Sequence, residues 1–97
     1  MEDMVNRARQ LAAQTLRDEL RYDGTPFIQH PDGVARIVSD EIGLPEECVA
    51  AVYLHEATRI HADVDVSIFP DDVLTIVDGL NKISSIKPKD TRLEAEN

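Results

Sequence analysis

The chain has 97 residues, a formal net charge of -9 and a single cysteine, Cys48. That surplus of carboxylates excludes a nucleic-acid backbone or an anionic membrane surface as partner, because both select basic surfaces, and admits an anionic small molecule only where positive charge is locally concentrated. One cysteine permits no intrachain disulfide and no cysteine-built zinc cluster. No apolar run approaches the ~18 residues of a membrane span and no leader pattern is present, so a cytoplasmic domain with Cys48 as a reduced core thiol is expected.

From Asp3 to about Arg21, Val5, Ala8, Leu11, Ala12, Leu16 and Leu20 recur at steps of three and four, which predicts an amphipathic helix stopped by Asp23-Gly24. Thr25 to Gln29 is a short extended link, because Pro26 biases Thr25 away from helix. Three further helices are predicted to begin with proline at the first helical position and acids in the first turn, at Pro31-Asp32, Pro45-Glu46-Glu47 and Pro70-Asp71-Asp72. Proline loses nothing there, and the carboxylates complement the helix dipole.

The Pro31 helix is expected to pack Val34, Ile37, Val38 and Ile42 and to end at Gly43. The Pro45 helix packs Val49, Val52, Tyr53 and Leu54 and runs to Arg59 or Ile60. His61 to Asp65 is a polar link, and Val66 to Phe69 is at most one helical turn. The Pro70 helix aligns Val73, Ile76, Val77, Leu80 and Ile83, interrupted by Gly79, which is expected to allow another helix to approach closely. Beyond Ser84, Thr91-Arg92-Leu93-Glu94 reads as a capping box that opens one more helix. A helix capped that close to Asn97 suggests a chain cut from something longer. There is no strand alternation, internal repeat or low-complexity segment.

The chemistry-bearing stretch is Val52-Tyr53-Leu54-His55-Glu56-Ala57-Thr58-Arg59, an apolar helix that ends in a histidine, a carboxylate and an arginine. With His30 one predicted helix earlier, it offers a hard-metal or zinc constellation inside a bundle. The alternative is a core histidine bonded to a backbone carbonyl, and adjacent helical positions such as His55 and Glu56 point different ways. Composition and spacing leave both open.

Arg21-Tyr22-Asp23-Gly24-Thr25-Pro26-Phe27-Ile28-Gln29-His30-Pro31, Val34-Ala35, Ala50-Ala51-Val52-Tyr53-Leu54-His55-Glu56, Phe69, Val73, Ile76-Val77-Asp78-Gly79-Leu80-Asn81-Lys82-Ile83 and Glu94-Ala95-Glu96-Asn97 appear in the order and spacing of a known family. Together they resemble the N-terminal HD hydrolase domain of the RelA/SpoT family. The resemblance implies an all-α, HD-domain-like bundle of about five to six helices. Residues 1–97 would form its N-terminal part, a single domain cut before the family's last metal ligand. It also implies an enzyme that removes pyrophosphate from the 3' position of ppGpp and pppGpp with a bound Mn2+. His30 and His55 match the first two metal ligands, Glu56 stands where the family has aspartate, and the last aspartate would lie beyond Asn97. Arg21 matches a basic residue beside the nucleotide; otherwise it is a helix-terminal arginine favourable to the dipole. Lys82 falls in the family's Val-Asp-Gly-Thr-Lys block, with Asn81 in place of threonine, and faces either the cleft or water.

The catalytic carboxylates that follow the doublet in the family are replaced by Arg59 and Ile60. Neither side chain accepts a proton at neutral pH, so the attacking water lacks its general base. Arg59 also stands one turn after His55. At about 5 Å and an effective dielectric near 20, its charge opposes a divalent cation by roughly 6 kcal/mol before screening. The expectation is therefore a vestigial metal site at His30, His55 and Glu56, with no cofactor and with Arg59 paired to Glu56 in the ion's place; a solvated surface pair is the competing reading. Three functions follow: a degenerate regulatory domain beside a synthetase domain, an active Mn2+-dependent 3'-pyrophosphohydrolase using Glu56, or an interaction module without ligand. A guanine nucleotide (ppGpp or GDP) is the partner implied for the first two.

Overall fold

The computed structural model describes residues 3–85; the Thr91 capping box and the Glu94 to Asn97 block lie outside them. Four α-helices occupy this span: α1 Met4–Thr15, α2 Gln29–Arg36, α3 Glu46–Ile60 and α4 Asp71–Ser84, with a π-helical continuation of α2 over Ile37–Ile42. Among the described residues the only strand-like feature is an isolated antiparallel bridge between Leu20 and Pro26.

α3 is the central rod, against which α1, α2 and α4 all pack. Its Val49 to Leu54 run, Glu56 and Ala57 are all buried, as expected for a helix with neighbours on most sides. Ala50, Ala51 and Ala57 are fully buried and Leu54 anchors the centre. α1 contributes Ala8 and Ala12, continued by Leu16, and α4 contributes Val73 and Val77, with Phe69 plugging the bundle just before α4. The all-helical expectation is met.

Element starts lie within two residues of the predicted positions. Pro45 and Pro70 are in extended conformation and act as N-caps, one position before the first helical residue. α2 begins at Gln29, two residues before Pro31. Proline is accommodated there because the first four N-H groups of a helix have no intrahelical acceptor.

Ends and faces differ more. α1 stops at Thr15, capped by the Leu16 N-H on the Ala12 carbonyl, and not near Arg21. The following segment instead folds back on itself: the Arg21 amide donates to the Thr25 carbonyl at 2.8 Å and the Phe27 amide to the Glu19 carbonyl at 2.9 Å. Leu20 is consequently 64% exposed and not in the core. Ile37 and Ile42 are exposed as well. The i to i+5 bonding of the π turn adds a residue per turn and moves them off the buried face. Ile83, in the last turn of α4, projects into solvent, and Cys48 is half-buried, so neither belongs to the core. Among the described residues nothing outside its own helix backbone comes within 4 Å of where a Gly79 Cβ would stand, so no described helix approaches it closely.

Candidate functional site

The site lies where the C-terminal half of α3 meets the first turn of α2 and the end of α4. Its centre is Glu56, only 6% exposed and the one buried charged residue among those described. A buried carboxylate is tolerated only when its lone pairs are met by donors, and here each oxygen has its own set. Oε1 accepts from Arg59 twice, from Nη2 at 2.6 Å and from Nε at 3.2 Å. Oε2 faces two imidazoles, His30 Nε2 at 3.1 Å and His55 Nε2 at 3.7 Å.

Helix geometry explains the convergence. Glu56 and Arg59 are three residues apart on α3 and therefore share a face, while His30 enters from α2. His55, next to Glu56, points toward α4, and its Nδ1 meets the Asn81 Oδ1 at 2.8 Å.

The hydrogen bonds assign the protons. The Thr58 hydroxyl donates to the Leu54 carbonyl at 2.9 Å, so it accepts from the Asn81 Nδ2 at 2.8 Å. This orients the amide with its oxygen toward His55, whose Nδ1 must then carry hydrogen. An ionised carboxylate only accepts, so His30 Nε2 is the donor to Glu56.

Of the three expected metal ligands, His30 therefore offers a proton at the nitrogen nearest the site, and Glu56 has one oxygen committed to a guanidinium. What remains is His55 Nε2 and one lone pair of Glu56 Oε2. The side chains as arranged do not fit a divalent ion. No group of three His, Cys, Asp or Glu among the described residues is placed to hold one.

Arg59, half-exposed, is shared by two open clefts. One, of about 270 Å³, is lined by Arg21, Tyr22, Phe27 and His30 together with Leu20. The other, of about 280 Å³, is lined by Thr58, Asn81, Ser84 and Ser85. Arg21 is thus brought to the site. Lys82 lines neither cleft; it is exposed and pairs with Asp78 at 3.0 Å on the surface of α4. Ile60 is partly buried against the core.

Behind the site is a second polar cluster that sequence reasoning did not find. Asp32 accepts from Arg9 Nε at 2.8 Å, Arg9 Nη2 at 2.9 Å and the Tyr53 hydroxyl at 2.6 Å, tying α1, α2 and α3 together. The Arg9 hydrogen bonds hold the Asp32 carboxyl below the usual carboxylate range, with Tyr53 adding to the effect against a smaller opposing effect of burial. Burial, then the Asp32 hydrogen bond and charge, push the Tyr53 phenol up to about 12. No spacing rule connects residues 9, 32 and 53, but a polar Asp32 two positions after His30 on an otherwise packing helix was a usable hint. Asn81 was visible in the sequence as a departure from the family block, without a role.

Comparison with known proteins agrees with this architecture. The profile of the HD domain family matches residues 8–97. The chain is 34% identical over 86 residues to a probable GTP pyrophosphokinase of Mycobacterium leprae, covering 86% of this chain and 11% of that protein. It is 31% identical over 104 residues to the bifunctional (p)ppGpp synthase/hydrolase SpoT of Escherichia coli, covering 99% of this chain and 14% of that protein. Against the GTP pyrophosphokinase rsh of Brucella melitensis the identity is 30% over 89 residues, 88% of this chain and 12% of that protein. The chain therefore spans only a small part of the curated relatives it matches. No solved structure matches it. The helical bundle, the His-Glu doublet on its central helix and these matches together make the chain a member of the HD domain family, of the kind carried by RelA/SpoT proteins.

Proposed function

We propose that this chain is the N-terminal part of a RelA/SpoT-type HD domain that has lost hydrolysis and persists as a regulatory partner of a synthetase domain in its parent protein, in the cytoplasm. The observation that carries the reading is the Arg59 guanidinium on Glu56 Oε1 at 2.6 Å. It places a permanent cation beside the carboxylate that a metal ion would need, at a position from which the family pattern draws a catalytic carboxylate. Ile60 replaces the other. No described Asp or Glu lines either cleft, so the carboxylate pair from which the family pattern draws its base for a water attacking phosphorus has no counterpart among those lining residues.

The test is release of pyrophosphate from ppGpp in the presence of Mn2+. None is expected from this chain, and multiple turnovers would sink the proposal. A gain-of-function arm sharpens it: Glu56→Asp, Arg59→Glu and Ile60→Asp together, made in the parent protein, should restore hydrolysis that the unaltered protein lacks.

The convergence of His30 and His55 on one Glu56 oxygen also favours a second reading, an active hydrolase that binds Mn2+ through Glu56 after Arg59 swings away. Calorimetric titration with Mn2+ distinguishes the two, because that reading requires saturable binding and the first requires none.

A further inference from the structure

The replacement at position 59 removes a base and also installs a donor. Arginine carries five N-H groups. Two of those on Arg59 go to Glu56, one from Nε and one from Nη2. The remaining three, including both on Nη1, meet no acceptor among the described residues, and Arg59 lines both clefts.

The surroundings supply a second cation and further donors, set against the Glu56 carboxylate paired to Arg59 and the Asp23 carboxylate near Arg21. Arg21 lines the first cleft and its side chain makes no hydrogen bond among the described residues; its charge is felt by the neighbouring Asp23. In the second cleft Asn81 spends one amide hydrogen on Thr58 and keeps the other, and the exposed Ser84 hydroxyl lies 3.4 Å from His55 Nε2. In a chain with 19 acidic and 10 basic residues, the described residues that line these two clefts include two arginines and no Asp or Glu. Planar guanidinium forks match the oxygens of a phosphoryl group, and charge-assisted N-H to oxygen bonds are the strong ones.

We propose that Arg59 is the central donor of a metal-independent anion site, which takes a pyrophosphoryl group at the junction of the two clefts. A vestigial cation site thereby becomes an oxyanion receptor. The inference rests on the proposed loss of hydrolysis, since a receptor that cleaved its ligand would not retain it.

The test is isothermal titration of the intact chain with inorganic pyrophosphate in excess EDTA, repeated with GDP. Saturable binding in EDTA is expected. Tighter binding of GDP would assign the site to a nucleotide-borne group, and equal binding to the free anion. Because Arg59→Gln alone strands Glu56, the decisive variant is Glu56→Gln with Arg59→Gln, which removes both charges together and should weaken binding about tenfold or more. Ser84→Glu, on an exposed position that leaves the Arg59 to Glu56 pair intact, should weaken it as well. Absence of binding in EDTA, binding that requires Mn2+, or full affinity in both variants would overturn the inference. Pyrophosphate release from ppGpp, measured in parallel, reports separately on the loss of hydrolysis.

Discussion

Removing the Arg59 guanidinium strands a carboxylate that is 6% exposed and keeps two imidazoles as its polar side-chain partners among the described residues. Losing one partner of a buried charge costs more than the pair contributed, because the other keeps its desolvation penalty. Arg59 is itself half-exposed, so the full buried-pair cost does not apply. Arg59→Ala should lower stability by about 1 to 3 kcal/mol, read as a lower midpoint in urea unfolding with an unchanged slope. Glu56→Gln with Arg59→Gln should recover much of that loss. The meeting of these residues was legible in the sequence, because the histidines and Glu56 fall in recognisable blocks and Arg59 follows at helical spacing. The Arg9, Asp32 and Tyr53 cluster was not, since its members come from three helices whose relative rotation no local pattern specifies. It makes its own prediction. The Tyr53 phenol is raised from 10.0 to about 12 in the folded chain. Its contribution is fully present below the unfolded value near 10 and is lost as pH rises through about 12. Tyr53→Phe should cost about 1 to 2 kcal/mol at neutral pH and flatten the loss of stability between pH 10 and 12, measured by denaturant titration at each pH. Asp32 has the opposite sign. Its depressed value stabilises the fold above the ordinary carboxylate range, and that stability falls as acid protonates it.

Helix starts were read well because proline and first-turn acids act within one or two residues of the feature they mark. Ends and faces were read less well because their causes are not local. α1 ends at Thr15 where Leu16, 1% exposed, is drawn into the core, and the chain then turns into the Leu20 to Pro26 bridge with no glycine at the stop itself. The π turn over Ile37–Ile42 defeated the periodicity argument directly, since that argument assumes 3.6 residues per turn. Two glycines test this understanding with opposite signs. Gly43 closes the π segment at φ 81°, with its amide and that of Leu44 both donating to the Val38 carbonyl at 2.9 and 3.0 Å. A side chain is strained in that left-handed region, so Gly43→Ala should destabilise by about 1 to 2 kcal/mol. Gly79 sits inside α4 with open space where a Cβ would go, so Gly79→Ala should stabilise by up to about 1 kcal/mol through helix propensity. Thermal midpoints of the two variants should move apart on either side of the parent. A drop for Gly79→Ala would reinstate the close helix contact that its place in the sequence suggested.

At the scale of the whole molecule, a charge of -9 on 97 residues works against compaction, because like charges are closer in the folded state than in the unfolded chain. Added salt shortens the screening length from about 30 Å at 0.01 M to about 8 Å at 0.15 M. It therefore relieves that repulsion while weakening exposed pairs such as Lys82 with Asp78. The repulsion involves the entire carboxylate surplus and the exposed pairs among the described residues are few, so sodium chloride should raise stability by roughly 0.5 to 1 kcal/mol, or about 2 to 8 °C in thermal midpoint for a domain this small. Screening depends on ionic strength and not on which anion supplies it. Binding at Arg59 depends on the anion, and at a concentration ten times its dissociation constant a ligand adds about 1.4 kcal/mol by mass action. Pyrophosphate should therefore raise the midpoint beyond chloride at equal ionic strength, and the excess should vanish in the Glu56→Gln, Arg59→Gln variant while the chloride response remains. Equal responses to the two salts would reduce Arg59 to a structural partner of Glu56. An excess that survives the double substitution would place anion binding elsewhere on the chain.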